Sequence, residues 1–316
     1  MRIRMAALMA AVPLLLGTAA AVTAATGASA MVSPATASGP CGTLTTAPAY
    51  SHVIVIMMEN HSYNTIIGSS QAPYINSVAS ECGLATNYHN ISHPSLPNYM
   101  AATSGLGYKG IAKFDSDCNP VPGCTNSAAS IFGQGESWKA YEESMPSNCD
   151  KSNSGEYAVR HDPPPYYTTL TNCSSNDVPY NQLASDLSGG TLPAFSFVTP
   201  NLIDDMHDGT VADGDTWLAN NLPVIFNSPE YQDGSTAVFV TWDEGEGGHS
   251  NDCATNTTDI GCQVATLVVS PSTVPGTTSP VLFNHYSLLR TAEDLLGLPE
   301  LGLAASNQSM AAAFNL

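Results

Sequence analysis

Four stretches of strand length are largely apolar from end to end, at 53–58, 194–199, 236–242 and 264–269. Continuous apolar runs, as opposed to alternating ones, mark strands buried on both faces, the usual condition of a parallel sheet. Stretches of helical spacing lie between or beside them, at 72–81, 96–103, 136–143, 213–227 and 286–296, the last closed by Gly297 and Pro299. This alternation predicts an α/β fold with a mainly parallel central sheet and helices on both faces. From Lys113 to Cys173 the pattern dissolves into Cys, Asn, Ser, Pro and Tyr, with only 136–143 helical in spacing. Residues 113–173 therefore read as a disulfide-tied, loop-rich insertion.

The ends of the chain follow different rules. Arg2 and Arg4, an apolar stretch through Leu14-Leu15-Leu16 and the small-x-small run Ala28-Ser29-Ala30 predict a signal peptide over 1–30. Pro13 and Gly17 interrupt that stretch, and a membrane anchor needs roughly 20 continuous apolar residues, so no stable membrane anchor is expected. Residues 31–50, rich in Ala, Thr, Ser, Pro and Gly, predict a flexible tail. The fold should begin near His52 and run as a single domain over 51–316.

Export bears on the cysteines. The chain has eight, no two of them in a Cys-x-x-Cys pair, which favours up to four disulfides over a thiolate metal site in a secreted, extracellular protein. Proximity suggests Cys118 with Cys124 and Cys253 with Cys262; Cys41 with Cys82 and Cys149 with Cys173 would complete one of 105 connectivities. The formal charge of −19 argues against nucleic acid as a partner. It also means that a phosphate substrate must be drawn in locally, by a metal and histidines. Lower pH would weaken the repulsion, so an acidic working optimum is expected.

Candidate chemistry sits where apolar strands run out. Glu59-Asn60 follows the first and Asp243-Glu244 the third, hard oxygen donors that a parallel sheet would bring to one edge. Carboxylates suit Ca, Mg or Mn, and added imidazole admits Zn or Fe, so the expected cofactor is a divalent metal ion of unspecified identity. Ser95, between Pro94 and Pro97, falls at the start of a helical stretch. It is either a capping serine or a nucleophile facing a phosphate at a helix N-terminus. Asn201 to Gly209 sets Asp204, Asp205 and Asp208 around His207, a candidate for substrate contact or leaving-group protonation, or else part of a calcium-binding or Asx-turn loop. His161, beside the stiff run Pro163-Pro164-Pro165, is a candidate phosphate contact. His93 and His285 could be either functional or structural, and His249 simply exposed.

Taken together, Glu59-Asn60, His93-Pro94-Ser95-x-Pro97-Asn98-Tyr99, Asp205-Met206-His207-Asp208-Gly209 with Gly214-Asp215-x-Trp217-Leu218, Thr241-Trp242-Asp243-Glu244 and His285-Tyr286 resemble the bacterial phosphoesterase family. That family contains phospholipases C and secreted acid phosphatases and belongs to the alkaline phosphatase superfamily. The likeness spans about residues 51–300 and looks nearest to the smaller secreted acid phosphatases, the mycobacterial phosphoinositide phosphatase type included. It implies that Ser95 forms a phosphoserine and that Glu59, Asn60, Asp243 and Glu244 hold a cation touching its oxygen. It implies further that His207 and His161 contact the phosphoryl group or leaving group and that Asn98 donates to a phosphoryl oxygen. Where the phospholipases carry Glu-Asn-Arg-Ser, this chain has His61 in place of the arginine.

Three functions fit these residues. The first is a secreted acid phosphatase acting on phosphomonoester small molecules or phospholipid head groups. The second is a phospholipase C-type phosphodiesterase using the same residues. The third is a noncatalytic, calcium-stabilised secreted binding protein in which the acidic loops hold structural ions. Oligomeric state is not readable from the sequence.

Overall fold

The computed structural model describes residues 39–247 and 252–316, which belong to one compact unit. The expected signal peptide, the first part of the expected tail and His249 lie outside the described residues.

Nine strands form one sheet: β1 His52–Met58, β2 Gly83–His89, β3 Trp138–Glu142, β4 Asp177–Pro179, β5 Phe195–Thr199, β6 Thr236–Trp242, β7 Gln263–Val269, β8 Thr277–Ser279 and β9 Phe283–Asn284. Their order is β4-β3-β5-β1-β6-β7-β2-β8, with β9 also paired to β2. Only β7 runs against the rest, antiparallel to β6 and β2. Every residue of β6, and all of β1 after His52, is buried. Because successive side chains point to opposite faces, both faces must be covered. Helices Pro73–Glu81 and Val211–Phe226 pack on each other, as do Ser95–Ser104 and His285–Leu296.

Helix ends carry local signals. Val211–Phe226 starts with a capping box, the Thr210 hydroxyl accepting from the Asp213 amide while the Asp213 carboxylate accepts from the Thr210 amide. His285–Leu296 starts with the Asn284 side chain accepting from two amides and stops at Gly297 in the left-handed region, φ +66°.

Parallel pairing fixes which residues meet. In register, Met57 lies beside Thr241 and Met58 beside Trp242, so β1 and β6 end together. Glu59 and Asp243 are thus neighbours despite their separation in the chain. The segment after β5, the start of the Ser95 helix after β2, and His285 after β9 reach the same edge, which holds the carboxyl ends of the parallel strands.

Two expectations need correction, and one of the longer strands of the sheet went unforeseen. The stretch 136–143 is not helical: Trp138–Glu142 is β3, parallel to both β5 and β4. Its Trp and Tyr favour a pleated surface, and sheet pairing overrides the short helical spacing. The sequence pattern also missed β2, because the half-buried Thr86 and Asn87 break its apolar run, at the point where its register with β7 shifts. The described part of the expected tail, 39–50, is anchored by the buried Cys41–Cys82 disulfide, by Leu44 donating to the Pro271 carbonyl and by the Tyr50 hydroxyl between Ser270 and Ser272. All four cysteine pairs are those suggested by the sequence.

Candidate active site

Ser95 opens its helix with its side chain buried at the sheet edge, and its hydroxyl donates to Glu59 Oε2 at 3.1 Å. The same hydroxyl lies near enough to Asp243 to lower the pKa of that carboxyl, opposing the effect of burial. Residues 59, 95 and 243 therefore converge. Asp243 is held from the other side by the Asn60 backbone N–H, which donates to Oδ1 at 3.0 Å. Asn60 does this from the left-handed region, φ +53°, a conformation that asparagine tolerates better than most residues. One turn along the helix from Ser95, on the same face, the Tyr99 hydroxyl donates to Glu59 Oε1.

Two histidines close the site. His161 Nε2 stands 3.4 Å from Glu59 Oε2 and its Nδ1 3.3 Å from Asp205 Oδ2, while its ring lies parallel to that of Tyr99, centroids 5.5 Å apart. His207 is nearer the surface, its Nδ1 2.7 Å from Asp208 Oδ1 and its Nε2 3.0 Å from an Arg160 nitrogen. A guanidinium only donates, so Nε2 accepts and the ring proton sits on Nδ1, facing Asp208. Asp205 fixes this loop by accepting from the His207 amide at 2.7 Å and by giving its own carbonyl to the Glu59 amide at 2.9 Å.

The remaining candidates have narrower roles. Glu244 Oε2 is 2.6 Å from His93 Nδ1, so these two face each other. His285 Nε2 is 2.7 Å from the Asp243 carbonyl and its Nδ1 3.0 Å from the Tyr88 hydroxyl. It braces the turn after β6, and burial lowers its pKa to about 4. Asn98 departs from expectation. Its Oδ1 accepts from the Ile91 and Ser92 amides and its Nδ2 donates to the Ser92 and Pro94 carbonyls, which occupies the whole side chain. It therefore shapes the loop before Ser95 and has no donor left for a phosphoryl oxygen.

Glu59, Asp205, Asp243 and Glu244 are all buried. Burial, followed by the charges of Asp243 and Asp205, raises Glu59 well above the ordinary carboxyl range; burial and Glu244 do the same to Asp243, and burial raises Glu244 to about 8. Two like charges 4 Å apart repel by about 4 kcal/mol even at an effective dielectric constant near 20. Four such groups need protons or a cation. The donor set fits a cation: Asp243 Oδ2 and His161 Nε2 are buried without a hydrogen-bond partner, and Glu59, His161 and His207 each present an atom within 4.8 Å of the others. Hard carboxylate oxygens with imidazole nitrogens admit the same range of metals that the sequence suggested.

Sequence reasoning missed three residues here. Tyr99 was within reach, being four residues from Ser95 on a helix. Arg160 adjoins His161 but carried no motif of its own. Asp117, which accepts from the Leu96 amide at 3.0 Å and lies 4.0 Å from Arg160 Nε, comes from the insertion with no signal in its neighbourhood.

The mostly parallel sheet, with a hydroxyl, carboxylates and imidazoles at its carboxyl edge, is an alkaline phosphatase-like fold. Solved structures agree. A putative sulfatase from Bacteroides thetaiotaomicron matches with a TM-score of 0.58 at 12% identity, covering 84% of this chain and 74% of that one. The phosphonate monoester hydrolase of Agrobacterium radiobacter matches with a TM-score of 0.54 at 12% identity, covering 84% and 77%. At such identities the likeness concerns the fold.

The chain belongs to the Phosphoesterase family, whose sequence profile matches residues 69–299. It is 31% identical to the phosphatidylinositol-3-phosphatase of Mycobacterium tuberculosis over 262 residues, which span 82% of this chain and 81% of that one. It is 26% identical to an acid phosphatase of Aspergillus fumigatus over 80% of this chain, spanning just 56% of that longer protein. The protein is thus a hydrolase of the phosphoesterase class. Glu59 and Asn60 lie upstream of the matched segment and are joined to it by the sheet register.

Proposed function

We propose that the protein is an exported acid phosphatase that hydrolyses phosphomonoesters through a phosphoserine at Ser95. The observation that carries this reading is the Ser95 hydroxyl donating to Glu59 at 3.1 Å beside Asp243 in a buried, acid-rich pocket. Four disulfides support an oxidising compartment, and among the described residues no helix is long and apolar enough to cross a membrane.

Glu59 and Asp243 would hold the divalent cation, with His161 beside them and Glu244 adding charge. When bound, such an ion supplies positive charge that lowers the pKa of a seryl hydroxyl and offsets charge on a phosphoryl oxygen. The side chains of this chain do the rest. Ser95 Oγ passes its proton to Glu59 Oε2 and attacks phosphorus as the bond to the leaving oxygen breaks, giving phosphoserine and a free alcohol; water then hydrolyses the ester. Arg160, half-buried and facing His207, moves onto the equatorial phosphoryl oxygens, the groups that most need stabilisation. Once Arg160 has moved, His207, its Nδ1–H held by Asp208, takes up a proton on Nε2 and delivers it to the leaving oxygen. His161 is driven well below the ordinary histidine range by burial and then by Arg160 and His207, so it serves as a neutral ring.

The monoester preference rests on the kinship with acid phosphatases and with an enzyme named for a phosphoinositide monoester. Rates on p-nitrophenyl phosphate, its bis-ester, phosphatidylinositol 3-phosphate and phosphatidylcholine test it. The two monoesters should be turned over fastest, whereas preference for the bis-ester or phosphatidylcholine would place the protein with the phospholipases C.

A further inference from the structure

A second set of buried acids lies away from Ser95. Glu142 ends β3, Asp177 begins β4, and Asp162 follows the turn Val159–His161. All three are buried, at 1%, 0% and 0% exposure. One oxygen from each lies within 4.8 Å of the others. Among the described residues no Lys, Arg or His forms an ion pair with any of them.

Their hydrogen bonds are few. Tyr157 donates to Asp162 Oδ2 at 2.6 Å, and Thr199 is 3.2 Å from Glu142 Oε1 but equally near the His161 carbonyl. Among the described residues, Asp162 Oδ1 and Asp177 Oδ1 receive no hydrogen bond from any other side chain or backbone group, although the two carboxyl groups lie close enough to share a proton with each other. The other Asp177 oxygen meets the sulfur of Cys173, which is locked in a disulfide and has no proton to give. Apart from a proton shared with Asp162, Asp177 is therefore a wholly buried carboxyl group with no donor on either oxygen, which a native fold rarely tolerates unless an ion or a water fills the gap.

We propose that Glu142, Asp162 and Asp177 bind a calcium ion, separate from the catalytic cation. The set offers oxygens and no free thiol or imidazole, which is the preference of a hard cation. Calcium–oxygen distances of about 2.3–2.6 Å put ligands on opposite sides of the ion roughly 5 Å apart, in keeping with the observed spread. The Tyr157 hydroxyl and the Asp150 carbonyl, 2.9 Å from each other, lie alongside as further oxygens. The ion would tie the base of the insertion, already closed by Cys149–Cys173, to the sheet. Asp162 directly follows Arg160 and His161, so calcium would hold the loop that carries both into the active site. This inference does not depend on Ser95 being a nucleophile.

The test uses the full chain carrying Asp243→Asn, which removes a catalytic-site ligand, after treatment with chelator. Calcium titration followed by calorimetry should find one site. A calcium concentration about a hundredfold above Kd should raise Tm by roughly 5 °C. Adding Asp177→Asn should abolish both effects. Terbium in place of calcium should give tyrosine-sensitised emission whose lifetimes in water and deuterated water report about two bound waters or fewer. That reading stands even if the double variant folds poorly. Absence of a calcium site in the Asp243→Asn chain, a site unchanged by Asp177→Asn, or terbium that keeps most of its waters would overturn the proposal.

Discussion

The acids after β1 and β6 are buried as thoroughly as those at β3 and β4, and burial pushes both sets toward their protonated forms. Their company differs. Glu59 and Asp243 share a serine at a helix start, the imidazole of His161 and, nearer the surface, Arg160 and His207. Glu142, Asp162 and Asp177 have a tyrosine, a threonine and a closed disulfide. A buried negative cluster can recruit a cation in either setting. Among the described residues a seryl hydroxyl, an arginine and imidazoles adjoin only the first cluster, so under the proposed function the first set suits catalysis and the second suits bracing.

The comparison is broken most severely by Ser95→Ala. Turnover of p-nitrophenyl phosphate should fall well over a hundredfold while Tm stays within a degree or two, since among the described residues the hydroxyl touches only the Glu59 and Asp243 carboxyl groups and its loss leaves the helix intact. A variant that kept its activity would return Ser95 to the role of a capping residue. Asp243→Asn should also cost about a hundredfold or more, and should lower the metal retained per chain as read by elemental analysis. Asp177→Asn, by contrast, should leave the catalytic metal in place.

Arg160→Ala should reduce kcat/KM by about ten- to a hundredfold, a loss of about 1.4–2.8 kcal/mol in transition-state stabilisation. Asn98→Ala separates shaping from contact. Losing four hydrogen bonds from a buried loop should lower stability by about 2–4 kcal/mol in a denaturant titration. A large fall in turnover with full stability would instead make Asn98 a phosphoryl contact.

The mildest effect concerns pH. Glu244 and Glu293 are raised to about 8 and Asp162 to about 7, in each case chiefly by burial. A carboxyl with a folded pKa above its unfolded value contributes stability below about pH 4 that is lost as pH rises through the folded pKa. The chelated protein should therefore melt at progressively lower temperature from pH 5 to pH 8, and a divalent cation should flatten the trend. A chelated chain more stable at pH 8 than at pH 5 would contradict the charge pattern of both clusters.

The central strands and the residues just beyond them were legible because a strand buried on both faces must be continuously apolar, and its end is announced by the first acid, as at Met58-Glu59 and Trp242-Asp243. Strands with one polar segment were not. Thr86 and Asn87 hid β2, and the helical spacing of 136–143 disguised β3. The hydrogen bonds of Asn98 were invisible because a family likeness carries residue identity without the local backbone that consumes them. The acids of the second cluster gave no warning either. Glu142, Asp162 and Asp177 sit in a loop-rich stretch of the chain and meet only through the pairing of β3 with β4 and β5.

The most direct test of the central claim is to quench the protein with acid during turnover of a phosphomonoester and locate the bound phosphoryl group by peptide mass spectrometry. The account predicts phosphate esterified to Ser95 and absent from the Ser95→Ala variant. Phosphate on His161 or His207, or label retained by Ser95→Ala, would contradict it.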